Sequence, residues 1–139
     1  MNRYARLFLV AALMASACQS TRHPADNLPS RQLRFGYGGG FSGKEQAYTL
    51  LENGQLFFVE PGSAPKVLPD VKPKKAAELF RQAEQVFASE PSLLSGNIYA
   101  FIELNAGNRT QRLAWNDQKA NPVQDVQDLY ANLMQQVRQ

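Results

Sequence analysis

Apolar residues change their spacing along this chain, and each change marks an element. Between Pro73 and Ala88, the residues Ala76, Leu79, Phe80, Ala83, Val86 and Phe87 recur at steps of three and four, which lines one face of a helix. Lys72 precedes a proline and is pushed out of the helical region, so this helix starts at Pro73, and Pro91 ends it. A second helix is predicted from Asn121-Pro122 to about Val137. Asn121 serves as its N-cap, Pro122 as its first residue and Gln124 as the capping-box partner. Its apolar stripe reads Val123, Val126, Tyr130, Leu133 and Val137.

The remaining patterned segments read as strands. Asn97 to Asn105 is rich in β-formers, Ala106-Gly107-Asn108 turns it, and Arg109 to Trp115 returns as its partner. Gln46–Glu52 and Gln55–Glu60 flank Asn53-Gly54, a strong hairpin signal. A two-residue turn there places Leu50 opposite Phe57 and Tyr48 opposite Val59, on the face read as the core side. It places Leu51 opposite Leu56 and Thr49 opposite Phe58 on the other, which is also apolar, so the sheet is expected to be partly covered on both faces. Gln32 to Tyr37 is a candidate first strand, and Pro61 to Pro69, with three prolines, reads as a loop. The order predicts an α+β single domain: an antiparallel sheet built from two hairpins and the candidate first strand, with two helices packed on it.

Phe35 to Lys44 interrupts this regularity. Five of the nine glycines lie between Gly36 and Gly43, and Phe35, Tyr37 and Phe41 are interleaved with them. Glycine at this density marks backbone at positive φ or in close approach to a neighbour. A flexible linker would not carry three rings. The stretch reads as an ordered loop that either presents Phe41 or packs it as a structural corner. Tyr37, Gly39, Gly40, Phe41, Ser42 and Gly43 are its candidate contact residues.

The start of the chain has a different character. A basic Asn2–Arg6 is followed by an apolar run, Leu7 to Ala17, shorter than the roughly 20 residues that span a bilayer. This is the layout of a secretory signal peptide. Ala15-Ser16-Ala17-Cys18 resembles the lipobox of bacterial lipoproteins, although Ala15 stands where that motif usually has leucine. The resemblance implies cleavage before Cys18, a diacylglyceryl group on its sulfur and a membrane anchor. Gln19 rather than aspartate follows, which in that family implies sorting to the outer membrane, facing the periplasm. The expected organisation is a signal peptide over 1–17, a lipidated cysteine and flexible tether over 18–30, and one domain over 31–139.

Charge and chemistry narrow the function. The chain has 15 Lys and Arg against 12 Asp and Glu; without Arg3 and Arg6 the excess is one, too little for a nucleic-acid footprint. Gly38 to Lys44 nearly satisfies a phosphate-binding loop, but Glu45 stands where the magnesium hydroxyl belongs and a hairpin follows instead of a helix. Gly40-Phe41-Ser42-Gly43 approaches a nucleophile elbow, but Lys44 replaces its last glycine. The single histidine, His23, lies in the tether, and the single cysteine is Cys18. Glu103, Glu52, Glu60 and Asp117 are the remaining candidate acids, and nothing in their spacing brings two together. A non-catalytic domain is expected, with no cofactor, no metal, and neither nucleotide nor nucleic acid as partner.

From Gly39 onward the layout resembles the emfourins, small bacterial proteins that inhibit thermolysin-type metallopeptidases. The carriers are Gly39-Gly40-Phe41-Ser42-Gly43, Tyr48 in the next strand, Leu79-Phe80 and Val86-Phe87 in the helix, and the late hairpin ending at Trp115-Asn116-Asp117. The resemblance implies a protein partner engaged by the glycine loop. The alternative reading is an envelope structural or assembly lipoprotein that acts through its sheet surface.

Overall fold

The computed structural model describes residues 21–89, 97–116 and 123–139. The expectations placed on Cys18, Pro91, Asp117 and Asn121-Pro122 lie outside them. The described residues form six strands and two helices in the order β1 (Gln32–Gly39), β2 (Glu45–Leu50), β3 (Leu56–Val59), β4 (Lys66–Leu68), α1 (Pro73–Ser89), β5 (Ile98–Ala106), β6 (Arg109–Trp115) and α2 (Gln124–Val137). The strands form one sheet in the order β4-β3-β2-β1-β5-β6, with every neighbouring pair antiparallel. The fold is the α+β single domain that the hydrophobic pattern predicts, with β1 as a central strand.

One face of the sheet carries the helices. Leu33, Phe35, Leu50, Leu56, Ala100, Ile102, Leu104, Leu113 and Trp115 point into it. They meet the α1 stripe, in which Ala76, Leu79, Phe80, Ala83, Val86 and Phe87 are all buried as predicted. From α2 come Val126, Leu129 and Leu133. Leu129 is missing from the predicted stripe, and Val123, included in it, is exposed. Val123 occupies the cap position with an extended ψ of 153°, so the helical spacing does not reach back to it.

The first hairpin departs from expectation in a consequential way. Leu50 pairs with Leu56, Thr49 with Phe57, and Tyr48 with Phe58, one residue away from the predicted register. The cause is the turn. A two-residue type I′ turn needs positive φ at both Asn53 and Gly54. Here only Gly54 has it, at 92°. The Gly54 amide donates to the Leu51 carbonyl, and Leu51 and Gln55 close the loop, giving a three-residue connection over 52–54. A slip of one residue exchanges the faces of a strand. Leu56 and Phe58 therefore lie on the helix side, and Phe57 and Val59 on the open side. A second difference is β4, which forms inside the stretch read as a loop: Val67 pairs with Phe57 between Pro65 and Pro69. Prolines at the ends of a short edge strand are compatible with pairing on one side only.

The chain direction defines two ends of the molecule. The β2–β3 turn, the β4–α1 connection and the β5–β6 turn lie at one end; the β1–β2 loop and the start of β5 lie at the other. The helices are antiparallel, since Gln82, Gln85 and Val86 of α1 face Asp125, Leu129 and Asn132 of α2 across a shared groove. Residues 21–30 form no strand or helix and lie against the first end. There Asn53 Nδ2 donates to the Thr21 carbonyl at 2.8 Å, and Arg22 forms an ion pair with Asp70.

Candidate functional site

The glycine stretch divides into a strand half and a loop half, and glycine is needed in each for a different reason. Gly36 and Gly38 belong to β1 and face the open side of the sheet, opposite Phe101 and Tyr99 of β5. A Cβ on Gly36 would lie 2.0 Å from the Gln46 carbonyl oxygen, and one on Gly38 would lie 2.9 Å from the Tyr99 hydroxyl. Beyond them the chain turns. The Gly39 amide donates to the Lys44 carbonyl at 3.3 Å and the Gly43 amide to the Gly40 carbonyl at 3.2 Å. Gly39, Gly40 and Gly43 have φ of 89°, 73° and 61°, a region that L side chains enter at a cost. The Gly40 amide also donates to the Asn97 carbonyl at 2.8 Å, which ties the loop to the start of β5.

Phe41 and Ser42 are the central residues of this turn. Phe41 is fully exposed, at 114% of its reference area, so the loop presents the ring and does not pack it. Ser42 and Gly43 are exposed as well, and Gly39 and Gly40 are half-buried at the base. Ser42 Oγ accepts from the Lys44 amide at 3.4 Å. Tyr37 is 45% exposed, and its hydroxyl donates to Gln46 Oε1. Ile98, which pairs with Gly39 and is 46% exposed, is its diagonal neighbour. Tyr37, Phe41 and Ile98 thus gather exposed apolar surface at one end of the sheet. Trp115 is buried and packs edge-on against Tyr130.

The open face of the sheet holds an ion network. Glu103 lies between two arginines, with Arg34 Nη1 at 2.8 Å from Oε1 and Arg112 Nη1 at 3.0 Å from Oε2. Arg112 Nη2 reaches Glu45 Oε2 at 2.6 Å, and the Tyr99 hydroxyl donates to the same oxygen at 2.9 Å. The Arg112 guanidinium also lies 4.1 Å from the centroid of the Phe101 ring, which is fully buried although, among the described residues, no helix covers this face. Burial pushes the Glu103 carboxyl up, but the hydrogen bond from Arg112, the charge of Arg34 and the hydrogen bond from Asn105 outweigh it and hold the group below the usual carboxylate range. Tyr99 is raised, first by burial and then by its bond to Glu45.

The expected acids do not converge with one another. Glu52 pairs with Arg31 at the β2–β3 turn, and Glu60 is exposed beyond β3. Glu103 does meet a carboxylate, Glu45, through a shared arginine, and sequence reasoning missed it. The alignment of Glu45, Arg34, Glu103 and Arg112 depends on β1 pairing with β5, a contact between segments far apart in the chain. Among the described residues, no three His, Cys, Asp or Glu gather in a geometry that could hold a metal ion. In comparisons with known proteins, the chain matches no protein-family model, no curated protein and no solved structure.

Proposed function

We propose that this chain is a lipid-anchored, non-catalytic binding module on the periplasmic side of the outer membrane, and that it engages a protein partner with the Gly39–Lys44 loop. The observation that carries this reading is the Phe41 ring, fully exposed on a turn fixed by backbone hydrogen bonds at its base. An exposed aromatic ring on a preorganised loop loses little conformational freedom on docking, and a buried aromatic anchor supplies a large share of binding energy. The emfourin resemblance gives the partner class: a peptidase whose cleft admits the ring. The state of Glu103, which meets Glu45 through Arg112, supports a non-catalytic role. Glu103 is bound by two arginines and held ionised below the ordinary range, which does not suit a group that must exchange protons near neutral pH.

The test is inhibition of a thermolysin-type metallopeptidase by wild-type protein and by Phe41→Ala. The expected result is inhibition by the wild type and at least about a tenfold loss in the variant, the range for a central aromatic anchor. Equal potency of the two proteins would overturn the role of the loop. No inhibition by the wild type would overturn the partner class.

A further inference from the structure

The end of the molecule opposite Phe41 gathers four exposed basic residues, against Lys44 and Lys66 at the Phe41 end. Lys72, Lys74, Arg109 and Arg138 are all exposed there. Lys72 and Lys74 flank the first residue of α1, Arg109 follows the β5–β6 turn, and Arg138 caps the last turn of α2. Among the described residues none of the four has a carboxylate within ion-pair distance. Of the acids at this end, Asp70 is engaged with Arg22, Glu52 and Glu84 with Arg31, and Glu78 with Lys75, which leaves the exposed Asp26 of the 21–30 segment against the four cations. The first turn of α1 has no acidic residue. Lysines at a helix N-terminus oppose the helix dipole, so the stability of α1 does not account for them.

The chain also enters the body at this end. The Thr21 carbonyl accepts from Asn53 Nδ2 at 2.8 Å. Cys18 is three residues earlier in the chain, a reach of at most about 10 Å. The Phe41 loop lies at the far end of β1, whose eight residues span about 25 Å.

We infer that the end formed by Lys72, Lys74, Arg109 and Arg138 rests against an anionic phospholipid surface, with the strands upright and Phe41 pointing away from the bilayer. The inference rests on the anchor reading of Cys18 for its geometry and on the unpaired cations for its chemistry. Each basic residue close to an anionic surface favours contact about fivefold, an effect that falls off within a Debye length.

The experiment uses the lipoprotein in phosphatidylcholine vesicles with and without phosphatidylglycerol. A dye is placed at Asn108→Cys or at Ser42→Cys, and quenching by headgroup-labelled lipid is read. The Asn108 dye should be quenched in the anionic vesicles, with the contact equilibrium weakened more than tenfold by high salt or by Lys72→Glu/Lys74→Glu. The Ser42 dye should stay unquenched. The charge-reversed variant should melt no lower than wild type, because glutamates suit that helix end. Equal remoteness of the two dyes, closer approach of Ser42, or indifference to phosphatidylglycerol and salt would each overturn the inference. Intact mass separates the two readings. An unmodified Cys18 with Asn108 still responding to phosphatidylglycerol removes the anchor and keeps the basic surface; a lipidated Cys18 with both dyes remote does the reverse.

Discussion

Gln55 and His23 are joined twice: the Gln55 side-chain amide donates to the His23 carbonyl at 3.0 Å, and its oxygen accepts from the His23 amide at 2.7 Å. A side chain thus does for residues 21–30 what a neighbouring strand would do. Gln55 is itself buried, and Asn53 Nδ2 donates to the same oxygen at 2.7 Å.

Gln55→Ala is expected to unseat this segment and leave the sheet intact. Removing one side of a buried hydrogen-bonded pair costs about 1–3 kcal/mol. The loss should fall locally, as faster hydrogen exchange at the His23 amide with β1 and β5 still protected.

Two glycine substitutions in one loop should differ. Gly39→Ala places a Cβ 1.8 Å from the Asn97 carbonyl oxygen at a φ of 89°, whereas at Gly43 none of the described residues lies within 4 Å. Gly43→Ala should cost about 1–2 kcal/mol for the left-handed backbone alone. Gly39→Ala should cost more, because the β1–β5 contact must open, and thermal melts of the two variants would rank them.

Two phenylalanines form a matched pair. Phe35 is fully buried beneath the helices, and Phe35→Ala should cost about 3–5 kcal/mol. Phe41→Ala should stay within about 0.5 kcal/mol of wild type, as exposed positions do. A loss of several degrees in Tm from Phe41→Ala would show that the ring packs in solution.

Acid should weaken the open face. Glu103 is held below its ordinary value of 4.5, so as pH falls the unfolded chain takes up this proton first. The stabilisation is complete above the ordinary value and is lost as pH drops through the lowered one. Chemical denaturation from pH 6 down to about pH 2 should show this loss in the wild type and a shallower one in Glu103→Gln.

The α1 stripe was legible because its six buried residues carry the helical period themselves, and β5 and β6 because an obvious turn joins them. The first hairpin was legible as a hairpin but not in register. Asn53-Gly54 announces a turn, yet a two-residue and a three-residue loop share that signal, and the choice depends on φ at Asn53. β4 was hidden because Val67 sits among prolines and has only one neighbour. At the candidate site, the glycine count pointed to Gly39 and Gly40, but whether Phe41 was buried or displayed depended on the Gly40–Asn97 bond, which joins distant parts of the chain. Glu45 and Arg112 gave no signal of their own, because only the strand order brings them together.

The placement of the N-terminal segment has a mechanical corollary. Thr21 is held at the β2–β3 turn and Phe41 at the β1–β2 loop, so a pull between them runs parallel to the strands. The load first works on the bonds that tie residues 21–30 to Asn53 and Gln55 and then passes along the covalent backbone of β1, so the hydrogen bonds that flank this strand do not unzip one after another. A domain gripped at these two points resists traction as a plank does along its grain.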